Sequence, residues 1–305
     1  MKSTLVSENM EDFGERGRQM LVLGAGYIGE ELCRLAIGKG MVTTALTRNL
    51  EKAHRLAGMG VRCIVADLAD KAWHAQVPGI PDYVVNCVSA GGGGLEGYRR
   101  SYQLGMESVI AWALAAGGAG TFVYTSSTSV YPQGDGQWVD EDAPTQPAAT
   151  ERAEILLRAE EAARAWPGRM FILRLSGIYG PGRHHLLDAL RAGSTVLAGK
   201  GDHRLNLIHR DDVVSGIALA LQAGPSIPGQ VFNVTDDEAV TREDLMRWLS
   251  GRLKCPMPSF DGHMTSGRRS TVPDRMIANA RIKRVLGWMP QFPSFREGYR
   301  RILEA

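Results

Sequence analysis

Apolar residues along this chain come in two rhythms. Short unbroken runs at 20–23, 41–46, 61–66, 83–88, 121–125 and 170–175 have the length and composition of buried strands. Between them, apolar positions recur every three or four residues at 27–36 (Ile28, Leu32, Leu35 and Ala36 on one face), 50–59, 96–116 and 150–166 (Ile155, Ala159, Ala162 and Trp166). That is the spacing of helices that pack by one side. Strand and helix alternate up to residue 175, so the chain is expected to be α/β, a Rossmann-type doubly wound parallel sheet with its ligand at the strands' carboxyl ends. A short helix is expected over 70–76, and 131–147, rich in proline, glycine and acids, reads as loop. Past Ser176, glycines and prolines break the pattern into a brief strand at 205–208, a strand at 230–234 and helices at 184–192, 211–221, 242–253, 277–286 and 295–303. The division expected is a mobile extension (1–18), a sheet domain (19–178) and a small C-terminal lobe (179–305), with about 206–234 returning to the main sheet.

The first strand runs directly into Gly24-Ala25-Gly26-Tyr27-Ile28-Gly29, a G-x-G-x-x-G followed by a helix. Strand before and helix after are the context in which this spacing reads as a dinucleotide site. Gly24 permits the tight turn, Gly26 lets a pyrophosphate approach the backbone, and Gly29 lets helix and strand close together. The second strand ends Thr47-Arg48-Asn49, without the acid that would accept from the ribose 2′-hydroxyl of NAD. Arg48 is placed to meet a 2′-phosphate, which favours NADP; its other readings are stacking on adenine or facing solvent. Asp67, after the third strand, either accepts from the adenine amino group or caps the next turn. Ser89, Ala90 and the run 91–94 form a loop where backbone can approach a cofactor, and Thr125 ends the fifth strand beside it.

Composition narrows the field. The 305 residues carry a net charge of +2, which predicts neither a nucleic-acid nor a membrane partner. Cys33, Cys63, Cys87 and Cys255 are scattered without a C-x-x-C, so a reducing, cytoplasmic setting is the expectation. No apolar run approaches the roughly 18 residues of a membrane span. His184-His185 has only Asp188 nearby in sequence, and no metal site is expected.

The ordered motifs GAGYIG (24–29), VYTSSTSVY (123–131), RLSGIYGPG (174–182), LIHRDDVV (207–214), VFNV (231–234) and LGWMP (286–290) resemble the extended and atypical short-chain dehydrogenase/reductase superfamily, the NAD(P)-dependent epimerase/dehydratase group. The resemblance covers nearly the whole chain. It implies an enzyme moving hydride to or from a small or sugar-like substrate, with Ser127 hydrogen-bonding the reacting oxygen. The contrasting reading is a silent NADP-binding sensor or scaffold. The group's Tyr-x-x-x-Lys is missing here. Aligned through Pro144 and Pro147, Thr150 stands at the Tyr position and Glu154 at the Lys position. An alcohol cannot replace the phenol as an acid, and a carboxylate raises rather than lowers a neighbour's pKa. Glu154 is left as a partner for the nicotinamide ribose, and Tyr131 and Tyr179 as alternative proton donors. Arg204, Arg268 and Arg275 are candidate anchors for an anionic or sugar-like substrate. The helices at 96–116 and 150–166 resemble those that pair in dimers of the group.

Overall fold

The computed structural model describes residues 16–118, 120–262 and 274–304. Of the expected N-terminal extension only 16–18 fall within it, and Arg268 lies outside the described residues.

Seven parallel strands build the main sheet: β1 (Gln19–Leu23), β2 (Val42–Thr47), β3 (Arg62–Val65), β4 (Tyr83–Asn86), β5 (Thr121–Ser127), β6 (Met170–Leu175) and β7 (Val231–Val234). Their order is β3-β2-β1-β4-β5-β6-β7. The chain therefore winds outward from β1 in one direction, then from β4 in the other. The helices are α1 (Tyr27–Gly38), α2 (Leu50–Ala57), α3 (Gly94–Arg99), α4 (Gly105–Ala115), α5 (Glu151–Ala163), α6 (His185–Arg191), α7 (Arg210–Gln222), α8 (Arg242–Leu253), α9 (Ala280–Leu286) and α10 (Phe295–Glu304).

Alternating residues of each strand feed opposite cores. Met20 and Val22 join Leu32, Phe171, Ile217 and Phe232 on the face covered by α1 and α7. Leu21 and Leu23 join Val109, Trp112, Phe122 and Trp166 on the face covered by α4 and α5. A third core, with Tyr179, Leu187, Leu245, Leu249, Phe295 and Tyr299, packs α6, α8 and α10 together.

The strand expected at 205–208 splits into Arg204–Leu205 and Leu207–His209, the helix expected from 277 begins at Ala280, and other expected elements change as well. The helix expected at 70–76 shrinks to a single 3-10 turn, His74–Gln76, because the buried Trp73 donates to Leu68 O (3.1 Å) and fixes the preceding segment as a turn. The long helix expected at 96–116 is interrupted by a π-helical turn, Arg100–Leu104, joining α3 to α4. Inside the expected loop, Gln137–Val139 forms a short strand beside Arg275–Ile277. Val139 and Ile277 gain burial there in a small cluster with Val130, Tyr131 and Leu156.

One buried ion pair ties the middle of the molecule. Arg174 on β6 donates from Nε and Nη2 to the two carboxylate oxygens of Glu160 on α5, at 3.0 and 2.7 Å. Ser126 on β5 donates to the same carboxylate (2.6 Å). The third Arg174 arm, Nη1, donates to the Tyr131 hydroxyl (2.9 Å), which donates in turn to Asn233 Oδ1 on β7 (2.8 Å). The pair is sealed, with side chains 6% and 3% exposed. Removing one charge strands the other in a dry interior. Glu160→Gln is expected to lower the free energy of unfolding by about 3–5 kcal/mol in denaturant titrations. A loss below about 1 kcal/mol would show that water reaches the pair.

Outside the main sheet, in the two-stranded pair of Gly177–Tyr179 and Leu207–His209, His209 caps α7, its Nδ1 accepting from the Asp211 N–H (3.3 Å). Burial against Phe292 and Tyr179 pushes its pKa down to about 4, from 6.5. The neutral imidazole therefore stabilises the fold above about pH 6.5, and that contribution is lost as pH falls through 4. Unfolding free energy measured between pH 7 and pH 4 should decline towards acid, and His209→Gln should flatten part of that slope. An unchanged slope would remove His209 as its source.

Candidate functional site

The carboxyl ends of β1, β4 and β5 converge on one edge of the sheet, where the order reverses between β1 and β4. The glycine loop after β1 lies at that edge. Gly24 sits at φ +91°, and a Cβ there would lie 2.7 Å from Val88. A Cβ on Gly29 would stand 2.3 Å from Gly24 O, so turn and helix are in direct contact. Gly26 differs, because a Cβ there meets nothing within 4 Å. The loop is held from below: Gly24 and Ala25 N–H donate to Leu46 O (both 3.0 Å), and the buried Cys87 thiol donates to Gly24 O (3.2 Å). Gly26 caps α1 without any side-chain bond to its first turn. Open space, the N–H groups of the first turn of α1 and a helix dipole meet at one point, which suits a pyrophosphate. Gly24, Gly26 and Gly29 thus take the geometry their spacing suggested. Ile28 does not face this space. Its side chain is buried in the core below, leaving only its backbone N–H at the helix start.

Tyr27 reaches the segment that follows β6, donating to Pro181 O (2.9 Å). The guanidinium groups of Arg183 and Arg210 each lie 5.5 Å from its ring centre. Arg48 lies at the end of β2, half-exposed, with Nη1 3.5 Å from Asp67 Oδ2. Its Nη2 is 3.1 Å from where Gly91 would carry a Cβ, so it spans from Asp67 to the glycine run after β4. Asp67 accepts from the Ala69 N–H (2.9 Å) and from Arg100 Nε (3.1 Å). Burial raises its pKa, and these bonds outweigh that to hold it below the usual carboxylate value. Asp67 thus closes a turn and anchors two arginines. Asn49 is committed to capping α2 through Lys52 N–H (2.8 Å). Ser89 and Ala90 lie on the loop leaving β4, partly open to solvent, and Thr125 is buried, donating to Asn86 O (3.2 Å) between β4 and β5.

At the end of β5, Ser126 is spent on Glu160, whereas Ser127 is half-buried. The Ser127 hydroxyl accepts from the Ser129 N–H (3.2 Å), which leaves its own proton to donate. The remaining candidates are placed elsewhere. Tyr131 is fully buried, with its proton on Asn233 and its lone pair taken by Arg174, so it has no atom to offer a substrate. Tyr179 belongs to the third core, stacked on Tyr299 at 5.0 Å and turned towards Ser294 O (3.4 Å); burial pushes its pKa far up. Arg204 is held by Asp274 through both backbone N–H (2.8 Å) and Nη1 (2.6 Å). Arg275 is buried and donates to Thr128 O (2.8 Å) and Gln133 O (3.3 Å), pinning the loop after Ser127.

Thr150 and Glu154 are corrected by the rotation of α5. Thr150 is the N-cap, accepting from Ala153 N–H (3.1 Å). Glu154 accepts from Gln146 (3.2 Å) and Arg158 (3.1 Å). Together with Arg99 and Gln103 they line a cleft of about 470 Å³ between α5 and the π turn. The stripe turned towards the sheet is Arg152, Leu156 and Glu160, set roughly 200° round the helix from Glu154 at Arg152. Leu156 packs with Val130 and Tyr131. Arg152 lies in the first turn, 5.9 Å from the ring centre of Tyr98, with Nε buried and unpartnered. Tyr98 and Tyr102 pack on the same cluster, their rings 4.5 Å apart. The sequence held one signal for this group that went unread, Tyr98-x-x-x-Tyr102 in the helix after β4. Among the described residues no His, Cys, Asp and Glu cluster suits a metal, and no helix is long and apolar enough to cross a membrane.

Comparison with known proteins identifies the family. Residues 20–235 match the model of the NAD dependent epimerase/dehydratase family. The chain is 28% identical over 283 residues to protein YeeZ of Escherichia coli K12, covering 90% of this chain and 97% of that one. It is 29% identical over 253 residues to a 2-alkyl-3-oxoalkanoate reductase of Stenotrophomonas maltophilia, covering 76% and 74%. The dTDP-glucose 4,6-dehydratase DesIV of Streptomyces venezuelae, solved with NAD bound, superposes with a TM-score of 0.79 at 24% identity, covering 94% and 96%.

The glycine geometry separates two substitutions. Gly26→Ala should leave the unfolding midpoint nearly unchanged while abolishing dinucleotide binding, since its methyl group fills only the open space. Gly29→Ala should cost about 1–3 kcal/mol of stability through its clash with Gly24 O. Dinucleotide binding retained by Gly26→Ala in a fluorescence titration would place the cofactor elsewhere.

Proposed function

The chain belongs to the NAD dependent epimerase/dehydratase family, and on that premise we propose that it is an NADP(H)-dependent oxidoreductase acting on a carbonyl or hydroxyl of a small, sugar-like molecule. The observation that carries this reading is the open α1 N-terminus at Gly26, without a side-chain cap, together with Arg48 and no acid at the end of the neighbouring strand β2. A dinucleotide pyrophosphate would rest on the N–H groups of the first turn of α1. Arg48 would reach the 2′-phosphate with paired, charge-assisted hydrogen bonds, and the exchange of Asp67 for that phosphate leaves Asp67 its bonds to Ala69 and Arg100. The bound nicotinamide supplies or takes the hydride. Ser127 donates its proton to the substrate oxygen and so stabilises negative charge developing there. The name of the Stenotrophomonas relative, a reductase of an oxoalkanoate, supports a carbonyl as the reacting group.

Titration of purified protein with NADPH and NADH tests the reading. NADPH should bind more tightly. Arg48→Ala should weaken NADPH about tenfold to a hundredfold, the worth of a hydrogen-bonded charge pair, and leave NADH nearly unchanged. Equal loss for both cofactors would remove the 2′-phosphate assignment.

A further inference from the structure

The group's phenol and ammonium are absent from α5, yet the carboxyl edge of the sheet still brings a phenol and a cation together. They come from two helices. Tyr98 stands on α3, which leaves the loop after β4. Arg152 stands in the first turn of α5, reached from β5. Because β4 and β5 are neighbours, both helix starts open on the edge where Ser127 ends its strand. Arg152 sets its guanidinium over the Tyr98 ring, the carbon 5.9 Å from the ring centre. Its Nε is buried without a hydrogen-bond partner, an arrangement that costs stability unless something else uses the charge. Tyr98 and Tyr102 pack on the cluster that contains Val130, three residues beyond Ser127. Both precede or lie within the π-helical turn Arg100–Leu104, a distortion that is common at functional sites.

We propose that Tyr98 is the acid that protonates the substrate oxygen and that Arg152 is the positioning cation beside it. The inference rests on the redox reading of the site. In the reducing direction, the carbonyl carbon receives hydride with its electron pair from the reduced nicotinamide cofactor. The carbonyl π pair moves to oxygen, where Ser127 donates a hydrogen bond. The Tyr98 O–H bond breaks, its proton passes to that oxygen, and an alcohol forms. The phenolate is left beside the Arg152 guanidinium and recovers a proton from water. The reverse sequence oxidises an alcohol. A cation beside a phenol favours the phenolate, which is the service an ammonium gives in the missing motif.

Tetranitromethane, which attacks phenolates, tests the pair without a substrate. Tyr98 should be nitrated at least tenfold faster than half-buried Tyr83, as followed by peptide mapping. Arg152→Met should slow Tyr98 about tenfold without changing Tyr83, and Arg152→Lys, which keeps a cation, should retain most of the rate. Nitration of Tyr98 no faster than Tyr83, or a rate indifferent to Arg152→Met, overturns the pairing. In parallel, NADPH-dependent reduction of 9,10-phenanthrenequinone and 2,3-butanedione should fall at least a hundredfold in kcat in Tyr98→Phe with NADPH affinity unchanged. Undiminished kcat in Tyr98→Phe overturns Tyr98 as the acid. A wild-type protein that binds no NADPH, or binds it and reduces neither probe, sinks the redox reading instead, whatever nitration shows.

Discussion

The Glu160–Arg174 pair is the constraint on which the site's layout depends. A carboxylate and a guanidinium removed from water lose hydration that only close, multiple bonds offset. Here both carboxylate oxygens and all three arms of the guanidinium are engaged, so the geometry is over-determined. The consequence is rotational. Glu160 must face β5 and β6, so the residues one and two turns before it, Leu156 and Arg152, face the same way. The bond from Ser126 into the carboxylate sets the end of β5, and with it the position of Ser127. The chemistry at the sheet's edge is thus indexed by a charge pair buried below it.

Much of the sheet was readable from the chain. Apolar runs and helical spacing predicted the parallel, doubly wound order through residue 175, and VFNV returned as β7. The shape of the glycine loop was legible because it is a backbone property: φ at Gly24 and contact distance at Gly29 follow from having no Cβ. Arg48 stands at the end of β2, where its guanidinium reaches Asp67.

The rotation of α5 was not legible. Counting from prolines placed Thr150 at the Tyr position and Glu154 at the Lys position, and the apolar face read from spacing, Ile155, Ala159, Ala162 and Trp166, left Glu160 out. An acid on a buried stripe reverses that reading, and nothing in local sequence announces that its partner waits fourteen residues later on β6. Tyr131 and Tyr179 were misread similarly. A tyrosine near a strand end can face the cleft or anchor the core, and the choice here was made by Asn233 and by the Tyr299 ring, both remote in sequence.

The π-helical turn between α3 and α4 carries a further consequence. A wider turn holds one residue more than an α turn, so the helix before it is set back by about 100° relative to an unbroken α-helix. Met106, Val109, Trp112 and Ala113 on α4 are locked in the core and keep their bearing regardless. The turn therefore works as a swivel between an immovable shaft and an adjustable tip. Loss or gain of a single residue within it would re-aim Tyr98 and its neighbours while the shaft stayed seated. Descent with small insertions could in this way redirect the edge of such a molecule towards new ligands without repacking its interior.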